Sequence, residues 1–230
     1  IFEATKSSGG GFFQSMSSAI ILDKIKDPKF NFFHIVFSDD AEKALLSKGL
    51  KTINFKENIL FSLYKRLNNI SFFSKLFIKL KFKNSFYKLI TKNKINFVVF
   101  LGPSTLSKYL EDINFSYSVY DVQHRSHSYF PEYRTKNYFL NRETALQDSI
   151  NRSFKIFVDT ETTKKDVAFY YNCKLEKIVV QPFIPFLPKL FDKKKKYDLN
   201  LEIKNKINLK NSQKYFFYPA QFWAHKNHRY

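Results

Sequence analysis

Three consecutive glycines stand near the start of the chain, directly after a short apolar segment. Ile1–Ala4 reads as the end of a strand, and Gly9–Gly11 separate it from a run with helical spacing. A glycine-rich turn between a strand and a helix presents backbone N–H groups that favour an anionic phosphate. The glycines do not follow the GxGxxG spacing of dinucleotide sites. Because the chain has only five glycines, we interpret Gly9, Gly10 and Gly11 as a ligand loop; the alternative is a tight turn that needs positive φ.

A second polar and aromatic group, VYDVQHRSHSYFPEYR, spans positions 119–134 and begins where a predicted strand ends. Residues just past the carboxyl ends of parallel strands face the ligand crevice of α/β sheets. His124 is therefore predicted at a catalytic position, where an imidazole can donate a hydrogen bond or transfer a proton near neutral pH. The alternative is an ordinary polar loop residue. His124 and His127 have no further metal-ligating residues nearby, so no metal site is predicted.

A third motif, YPAQFWAHKNH at positions 218–228, follows another apolar run. Lys226 is predicted to lie in a loop after a strand, where an ammonium group can neutralise a diphosphate. The same stretch contains Gln221 and the only tryptophan, Trp223. The alternative interpretation is a surface loop.

The elements that must position these motifs alternate along the chain. Strands are predicted at Phe30–Phe37, Asn96–Leu101, Tyr117–Val122, Lys155–Val158, Lys177–Val180 and Tyr215–Tyr218, and helices at Phe12–Lys26, Asp39–Lys48, Thr135–Asn151 and Thr160–Tyr171. Short, continuously apolar runs are typical of strands buried on both faces, as in a parallel sheet under helices. The order predicts an α/β fold with a doubly wound parallel sheet.

Prolines and lysines interrupt this alternation between Gln181 and Tyr197, which is typical of a linker. A short helix is predicted at Asp198–Asn205. We predict a first domain at 1–185, a linker at 186–212, and the first strand and loop of a truncated second domain at 213–230. The first residue is Ile rather than Met, and we expect the chain to be part of a longer protein.

The three motifs, in this order, resemble those of the retaining glycosyltransferases of family 4, which have the GT-B architecture of two Rossmann-like domains. The stretch FVDTETTKKDV at 157–167 and the prolines after Gln181 are also similar to family features. The resemblance covers essentially the whole chain but only about the first half of such an enzyme. It implies transfer of a hexose, such as mannose, from a nucleotide-diphosphate sugar to a glycan or lipid-linked acceptor with retention, in surface polysaccharide synthesis. It implies neither a metal nor another cofactor.

The resemblance also implies roles for single residues. Gly9–Gly11 would lie beside the donor diphosphate and the acceptor, His124 would contact the transferred sugar, and Lys226 would hold the diphosphate. Gln221 stands where the family has an arginine, which leaves one cation fewer for the leaving group. The family's acidic donor-recognition element would lie beyond Tyr230, so we expect this chain alone to be inactive.

The formal charge is +19, from 39 Lys+Arg and 20 Asp+Glu. Such a charge attracts nucleic acid or anionic membranes. The basic residues are spread over the whole chain, however, and the excess of Lys, Asn, Ile and Phe is typical of an AT-rich genome. Since no nucleic-acid-binding signature is present, no nucleic-acid partner is predicted. The single cysteine excludes a disulfide framework.

The segment 58–90 mixes Leu, Ile and Phe with Lys and Arg and almost lacks acidic residues. This composition favours contact with an anionic membrane surface; the alternative is two helices that pack on the sheet. We expect a cytoplasmic protein, peripheral at the inner face of the membrane. Two other functions stay open: a basic non-catalytic module that binds anionic membrane or nucleic acid, and an inactive GT-B-like fragment.

Overall fold

The computed structural model describes residues 1–25, 27–184, 205–206, 208, 210, 214–216, 218 and 220–229. Strands are β1 His34–Val36, β2 Thr52–Asn54, β3 Phe97–Phe100, β4 Asn114–Val119, β5 Ile156–Val158 and β6 Ile178–Val180. Helices are α1 Gly10–Asp23, α2 Asp39–Leu46, α3 Ile59–Asn68, α4 Ser71–Lys79, α5 Ser85–Lys92, α6 Gln123–Ser126, α7 Pro131–Arg134, α8 Lys136–Arg152 and α9 Glu161–Tyr171. Single 3-10 turns lie at Lys6–Ser8, Leu106–Tyr109, Leu175–Lys177 and Ala224–Lys226.

The first residues of the chain join two groups of parallel strands into one sheet. Strand β1 pairs with β2, and β3, β4, β5 and β6 pair in that order, all in parallel. Phe2 forms a parallel bridge with Val36 on one side. On the other side, Ile1 donates from its nitrogen to the Val99 carbonyl at 2.7 Å and accepts from the Leu101 N–H at 3.1 Å. Residues 1–2 therefore lie as a central strand between β1 and β3.

The resulting strand order is β2, β1, residues 1–2, β3, β4, β5, β6. The chain starts in the middle of the sheet, runs to one edge, returns, and fills the other half. This is the order of a doubly wound, Rossmann-like sheet, whose ligand crevice lies where the order reverses, at the carboxyl ends of the strands. The predicted α/β fold is confirmed, and the reversal point lies between residues 1–2 and β3.

Alternate strand residues face two cores, one on each side of the sheet. Val36 and Leu101 pack with α1 and α2 in one core, and Ile35 and Phe100 pack with α3, α5, α8 and α9 in the other. Full burial of one such side chain stabilises the fold by roughly 1.5–3 kcal/mol. Helices therefore cover both faces of a sheet whose strands are largely apolar, although β2 and β4 include polar residues.

Polar side chains fix where several helices begin. The N-cap residues accept hydrogen bonds from backbone N–H groups three positions on, in the pairs Ser38 with Ala41, Asn58 with Phe61, Asn84 with Tyr87 and Thr160 with Thr163. Each cap satisfies an N–H group that has no partner within its helix. The helix predicted at Thr160–Tyr171 is observed as α9, with Thr160 as its N-cap.

Two predicted strands differ from those observed. The prediction Tyr117–Val122 is displaced, because β4 pairs from Asn114 with Phe97 and ends at Val119. Tyr120 leaves the sheet, and its hydroxyl donates to the Leu101 carbonyl at 2.7 Å. The prediction Phe30–Phe37 shortens to β1, since only its last part has strand β2 as a partner. Strand β2 was not predicted, because Ile53 is its one apolar residue and the residues on either side of it are polar.

Other predictions concern the middle and the end of the chain. The segment 58–90 forms three helices rather than two. Tyr215, Phe216 and Tyr218 lie outside any strand, contrary to the predicted strand at that place. The helix predicted at Asp198–Asn205 lies outside the described residues, apart from Asn205. The division into domains at 185 and 213 stays a prediction.

Candidate functional site

Two cavities open at the carboxyl edge of the sheet, beside the point where the strand order reverses. The larger has a volume of about 500 Å³ and is lined by the N-terminal segment, the loop after β3, the end of β4 and helix α8. The smaller, of about 300 Å³, also contains Glu3, Pro103 and Tyr120 and reaches Ser8 and Gly11. The two cavities thus meet at Glu3 and Tyr120, where the fold predicts a ligand site.

Glu3 is the carboxyl group that the two cavities share. It follows the central strand by one residue, so the strand end carries its carboxyl group to the reversal point. Burial raises the pKa of Glu3 to about 7, and a hydrogen bond with Ser104 opposes that shift. A carboxyl group that is partly protonated near neutral pH can donate or accept a hydrogen bond and can exchange a proton.

An arginine is fixed in the wall of the larger cavity. Arg142 of α8 donates to the Asp121 carboxylate at 2.6 Å, to the Asp121 carbonyl at 2.9 Å and to the Tyr138 hydroxyl at 2.8 Å. Asn141 lines the cavity beside it. These contacts hold the planar guanidinium in one orientation, and its remaining donors, with the Asn141 amide, suit a ligand that carries several oxygens.

Tyrosine rings form the other walls and are also held in place. The Tyr117 hydroxyl donates to the Ser104 carbonyl at 2.8 Å and accepts from the Ser104 N–H at 2.7 Å. Tyr120 is tied to the carbonyl at the end of β3, and a Cβ at Gly102 would lie 3.0 Å from its hydroxyl. The cavity therefore combines rigid aromatic walls with a few oriented polar groups, which is typical of small-molecule sites.

The glycine loop lies at the edge of the smaller cavity. Gly9, with φ +56° and ψ −118°, is the N-cap residue of α1, and Gly10 and Gly11 form the first helical turn. Only Gly9 needs glycine for its backbone conformation; a Cβ at Gly10 would meet no atom within 4 Å, and one at Gly11 would lie 3.8 Å from the Tyr120 ring. The first amides of the helix lack intrahelical acceptors, so they can bind an anion at this end of the cavity.

His124 is buried away from these cavities. His124 lies shortly after the end of β4, as predicted. Its ring is fully buried, however, and is absent from the lining of both cavities. Nε2 lies 3.1 Å from Glu143 Oε2 and 3.4 Å from the Tyr171 hydroxyl. Arg125 also donates to Glu143. The structure does not bring His124 together with Gly9–Gly11, and its catalytic role stays a prediction.

The environment of His124 fixes its charge state and tautomer. Burial lowers the pKa of His124, and the hydrogen bond with Glu143 opposes that change. Hydrogen bonds from Arg125, His124 and Tyr171 bring the pKa of Glu143 below its ordinary value, although burial alone would raise it. A neutral ring beside a carboxylate donates from Nε2, which leaves Nδ1 as an acceptor. Nδ1 is buried with no hydrogen-bond partner among the described residues.

The segment with Lys226 and Gln221 lies against helix α7. The His225 N–H donates to Glu132 at 3.1 Å, its ring also contacts that carboxylate, and it stacks on Tyr133 at 5.8 Å. Lys226 and Gln221 are exposed. A cavity of about 780 Å³ between this segment and α7 shares no lining residue with the two at the sheet edge. The structure therefore does not bring Lys226 to the glycine loop.

Sequence reasoning missed several residues of this site. Glu3 could have been found, because it ends a predicted strand at the level of the predicted loop. Arg142, Asn141 and Tyr138 had no local signal, since they lie on a long helix and reach the cavity only through the packing of α8. Within the described ranges, no three His, Cys, Asp or Glu side chains are grouped so that they could hold a metal ion.

Comparisons with known proteins give a distant structural likeness. No family model and no curated protein matches the chain. Among solved structures, the chain is similar to a glycosyltransferase from Rickettsia africae ESF-5, with 16% sequence identity and a TM-score of 0.47. The match covers 91% of this chain and 48% of that protein, so the chain spans about half its length. A likeness at this distance bears on neither activity nor substrate.

Proposed function

We propose that the chain is the acceptor-side part of a retaining glycosyltransferase. It would transfer a hexose, such as mannose, from a nucleotide-diphosphate sugar to a glycan or lipid-linked acceptor in surface polysaccharide synthesis. The cavity of about 500 Å³ at the reversal point of the sheet carries this proposal. Its place in the fold is that of a ligand crevice, and its walls have the chemistry of a sugar site.

A sugar ring presents hydroxyl groups at its rim and C–H groups on its faces. The Arg142 guanidinium, the Asn141 amide and the Glu3 carboxyl group line one cavity and can pair with neighbouring hydroxyls. Tyr117 and Tyr138 provide the flat surfaces on which C–H groups can pack. A phosphate ligand would favour several free cations instead, whereas Arg142 is already paired with Asp121.

The transfer step forms one bond and breaks another. The bond between the anomeric carbon and the donor diphosphate breaks, the acceptor oxygen bonds to that carbon, and the proton of the acceptor hydroxyl passes to the leaving diphosphate. Glu3 in its carboxylate form would accept the hydrogen bond of that hydroxyl and orient it. The first amides of α1 would stabilise the charge that develops on the leaving diphosphate. Lys226, which the structure places against α7 and away from this loop, would reach the diphosphate only in the complete enzyme. Retention requires no covalent nucleophile in this proposal.

Binding of simple sugars by this chain tests the acceptor side of the proposal. We expect methyl glycosides of common hexoses to bind, as measured by saturation-transfer NMR, and Glu3→Gln and Arg142→Leu to weaken binding by roughly tenfold each, as for a lost hydrogen bond to a charged group. Glu176→Gln and Arg134→Leu, at exposed positions, are the matched controls. Equal binding by all four variants would exclude this cavity as the sugar site.

Lys226 is tested in the complete gene product, with sugar transfer from a panel of nucleotide-diphosphate sugars as the readout. We expect Lys226→Ala to raise the barrier by ~2–4 kcal/mol, as for loss of a fixed electrostatic group at a transition state. Lys165→Ala, at another exposed lysine, is the control. A near-normal rate would remove Lys226 from the mechanism, and sugar binding without any transfer would favour the inactive alternative.

A further inference from the structure

We propose that helices α3 and α4 form a docking surface for an anionic lipid bilayer. This inference is independent of the proposed function, because it concerns a different part of the molecule. No helix within the described residues has the length and apolar character to cross a membrane. Any membrane contact of the described residues is therefore through a surface rather than a transmembrane helix.

The segment 58–90 divides into two parts that differ in burial. Helix α5 is a core element, because Phe86, Tyr87 and Ile90 are buried. Helix α4, in contrast, has no buried residue at all. It is held to the molecule by Phe77, whose ring lies 4.9 Å from that of Tyr64 in α3. The surface available for docking is therefore α3, α4 and the residues that flank α4.

Large apolar side chains project from these two helices into solvent. In α3, Ile59 is 87% exposed and Leu60 is 75% exposed, and Leu63 lies on the same side at a spacing of four and three residues. In α4, Phe72 is 70% exposed and Ile78 is 74% exposed. Ile70, Leu80 and Phe82, on either side of α4, are also exposed. Such a concentration of exposed apolar residues marks an interaction surface.

Cations are interleaved with these apolar groups. Residues 58–83 contain six Lys and Arg and no Asp or Glu. Lys65 pairs with Glu57 and Lys83 with Glu111, both of which lie outside that range. Arg66, Lys75, Lys79 and Lys81 are exposed. Within α4, Ile78 and Lys79 lie three and four residues after Lys75, so charge and apolar surface share one side of the helix.

This mixture selects a bilayer over other occupants. The buried centre of a protein interface is depleted in lysine, whereas lysine beside an anionic headgroup contributes about 1 kcal/mol of attraction. Single-stranded nucleic acid binds to aromatic platforms. Phe72 and Phe82 are the exposed aromatic residues of this surface, whereas most of its exposed apolar side chains, such as Ile59, Leu60 and Ile78, are aliphatic. At a bilayer the apolar side chains enter the boundary of the acyl chains while the lysines stay at the headgroups.

Flotation with vesicles tests the proposal on the full chain. We expect binding to phosphatidylglycerol–phosphatidylcholine vesicles and little binding to pure phosphatidylcholine vesicles. The variants Phe72→Ser with Ile78→Ser, and Lys75→Glu with Lys79→Glu, should each lower the partition coefficient by about tenfold. All four positions are exposed, so thermal unfolding should confirm that both variants fold.

Matched pairs elsewhere control for composition and for overall charge. Phe169→Ser with Leu175→Ser removes equally exposed apolar groups, and Lys51→Glu with Lys165→Glu makes the same change in net charge. We expect both controls to partition like the unmodified protein. Equal loss in the Lys51 and Lys165 variant would show that the net charge alone drives binding and would overturn the proposal. So would vesicle-independent dimers, seen by light scattering, that Phe72→Ser with Ile78→Ser abolishes.

Discussion

Glu3 places a carboxyl group at the edge of the sheet, where burial disfavours its charged form. Its position at the end of the central strand was within reach of the sequence, but its burial was not, because the covering residues Pro103, Tyr120 and Arg142 come from distant parts of the chain. The raised pKa is therefore a property of the assembled sheet edge. It makes Glu3 both a candidate group for the reaction and a measurable cost to the fold.

The stability of the protein should depend on pH through Glu3. Its carboxyl titrates near 4.5 in an ordinary setting and near 7 in the fold. Between these values the unfolded chain has released the proton and the folded chain retains it, so the free energy of unfolding falls as pH rises through this window. The full loss is about 3 kcal/mol. Below this window Glu3 is protonated in both the folded and the unfolded state, so it causes no change of the unfolding free energy with pH.

Glu3→Gln removes this dependence. We expect the difference in unfolding free energy between the variant and the unmodified protein to change in favour of the variant by about 3 kcal/mol between about pH 4 and pH 8. Urea unfolding across that range measures it, with Glu176→Gln as the exposed control. A difference that stays constant with pH would contradict the assignment.

Two substitutions of His124 can distinguish a structural role of this residue from a catalytic one. Its Nε2 donates to Glu143 inside the protein, and glutamine can place an amide N–H at the same point. We expect His124→Gln to keep stability within about 1 kcal/mol and His124→Ala to lose ~2–4 kcal/mol, from the cavity and the lost hydrogen bond. Chemical denaturation measures both. If the complete enzyme with His124→Gln retains transfer activity, the predicted catalytic role is wrong.

At the scale of single elements, local composition predicted the apolar strands but neither strand β2 nor the exposed position of helix α4. The runs that became β3, β5 and β6 are apolar at every strand position, and all of these positions except Phe97 and Val179 are buried or half-buried. Strand β2 escaped prediction because it is short and polar at both ends, so its pairing with β1 rather than its own residues makes it a strand. Helix α4 was predicted only as part of a basic-aromatic segment, since its spacing does not tell a core face from a solvent face.

The glycine loop allows the backbone and the ligand to be tested apart. Gly9→Ala should destabilise the protein by ~1–3 kcal/mol, because its φ of +56° is strained for any side chain. Gly10→Ala should be neutral or stabilising by up to about 1 kcal/mol, because alanine has the higher helix propensity and the added Cβ would meet no atom within 4 Å. Thermal unfolding measures both. Weaker sugar binding by a stable Gly10→Ala would show that a ligand approaches this turn. Unchanged sugar binding would show that the glycines serve only the structure of the turn.

At the scale of the whole molecule, the fold class was predictable and the strand order was not. Alternation of apolar runs and helices is local information, whereas the reversal point depends on contacts between residues 1–2 and β3, almost one hundred positions apart. The same limit explains the site. Gly9–Gly11 had a local signal and lie at the edge of the smaller cavity. Arg142 and Tyr138 line the larger cavity but had no local signal. Lys226 and His124 lie in sequence motifs, yet the structure places both away from these two cavities.

The central position of residues 1–2 has a kinetic consequence. Of the described strands, the one at residues 1–2 is made first. It needs neighbours on both sides, and its second neighbour is complete only when Leu101 has been made. Until then its apolar edge has half of its hydrogen bonds unmade, and α1 and α2 can cover only one face. Pairings between such distant segments are slow to form. The two halves of the sheet can therefore join only after Leu101 has been made, and the edge that waits for this pairing is exposed to misassembly in the nascent chain.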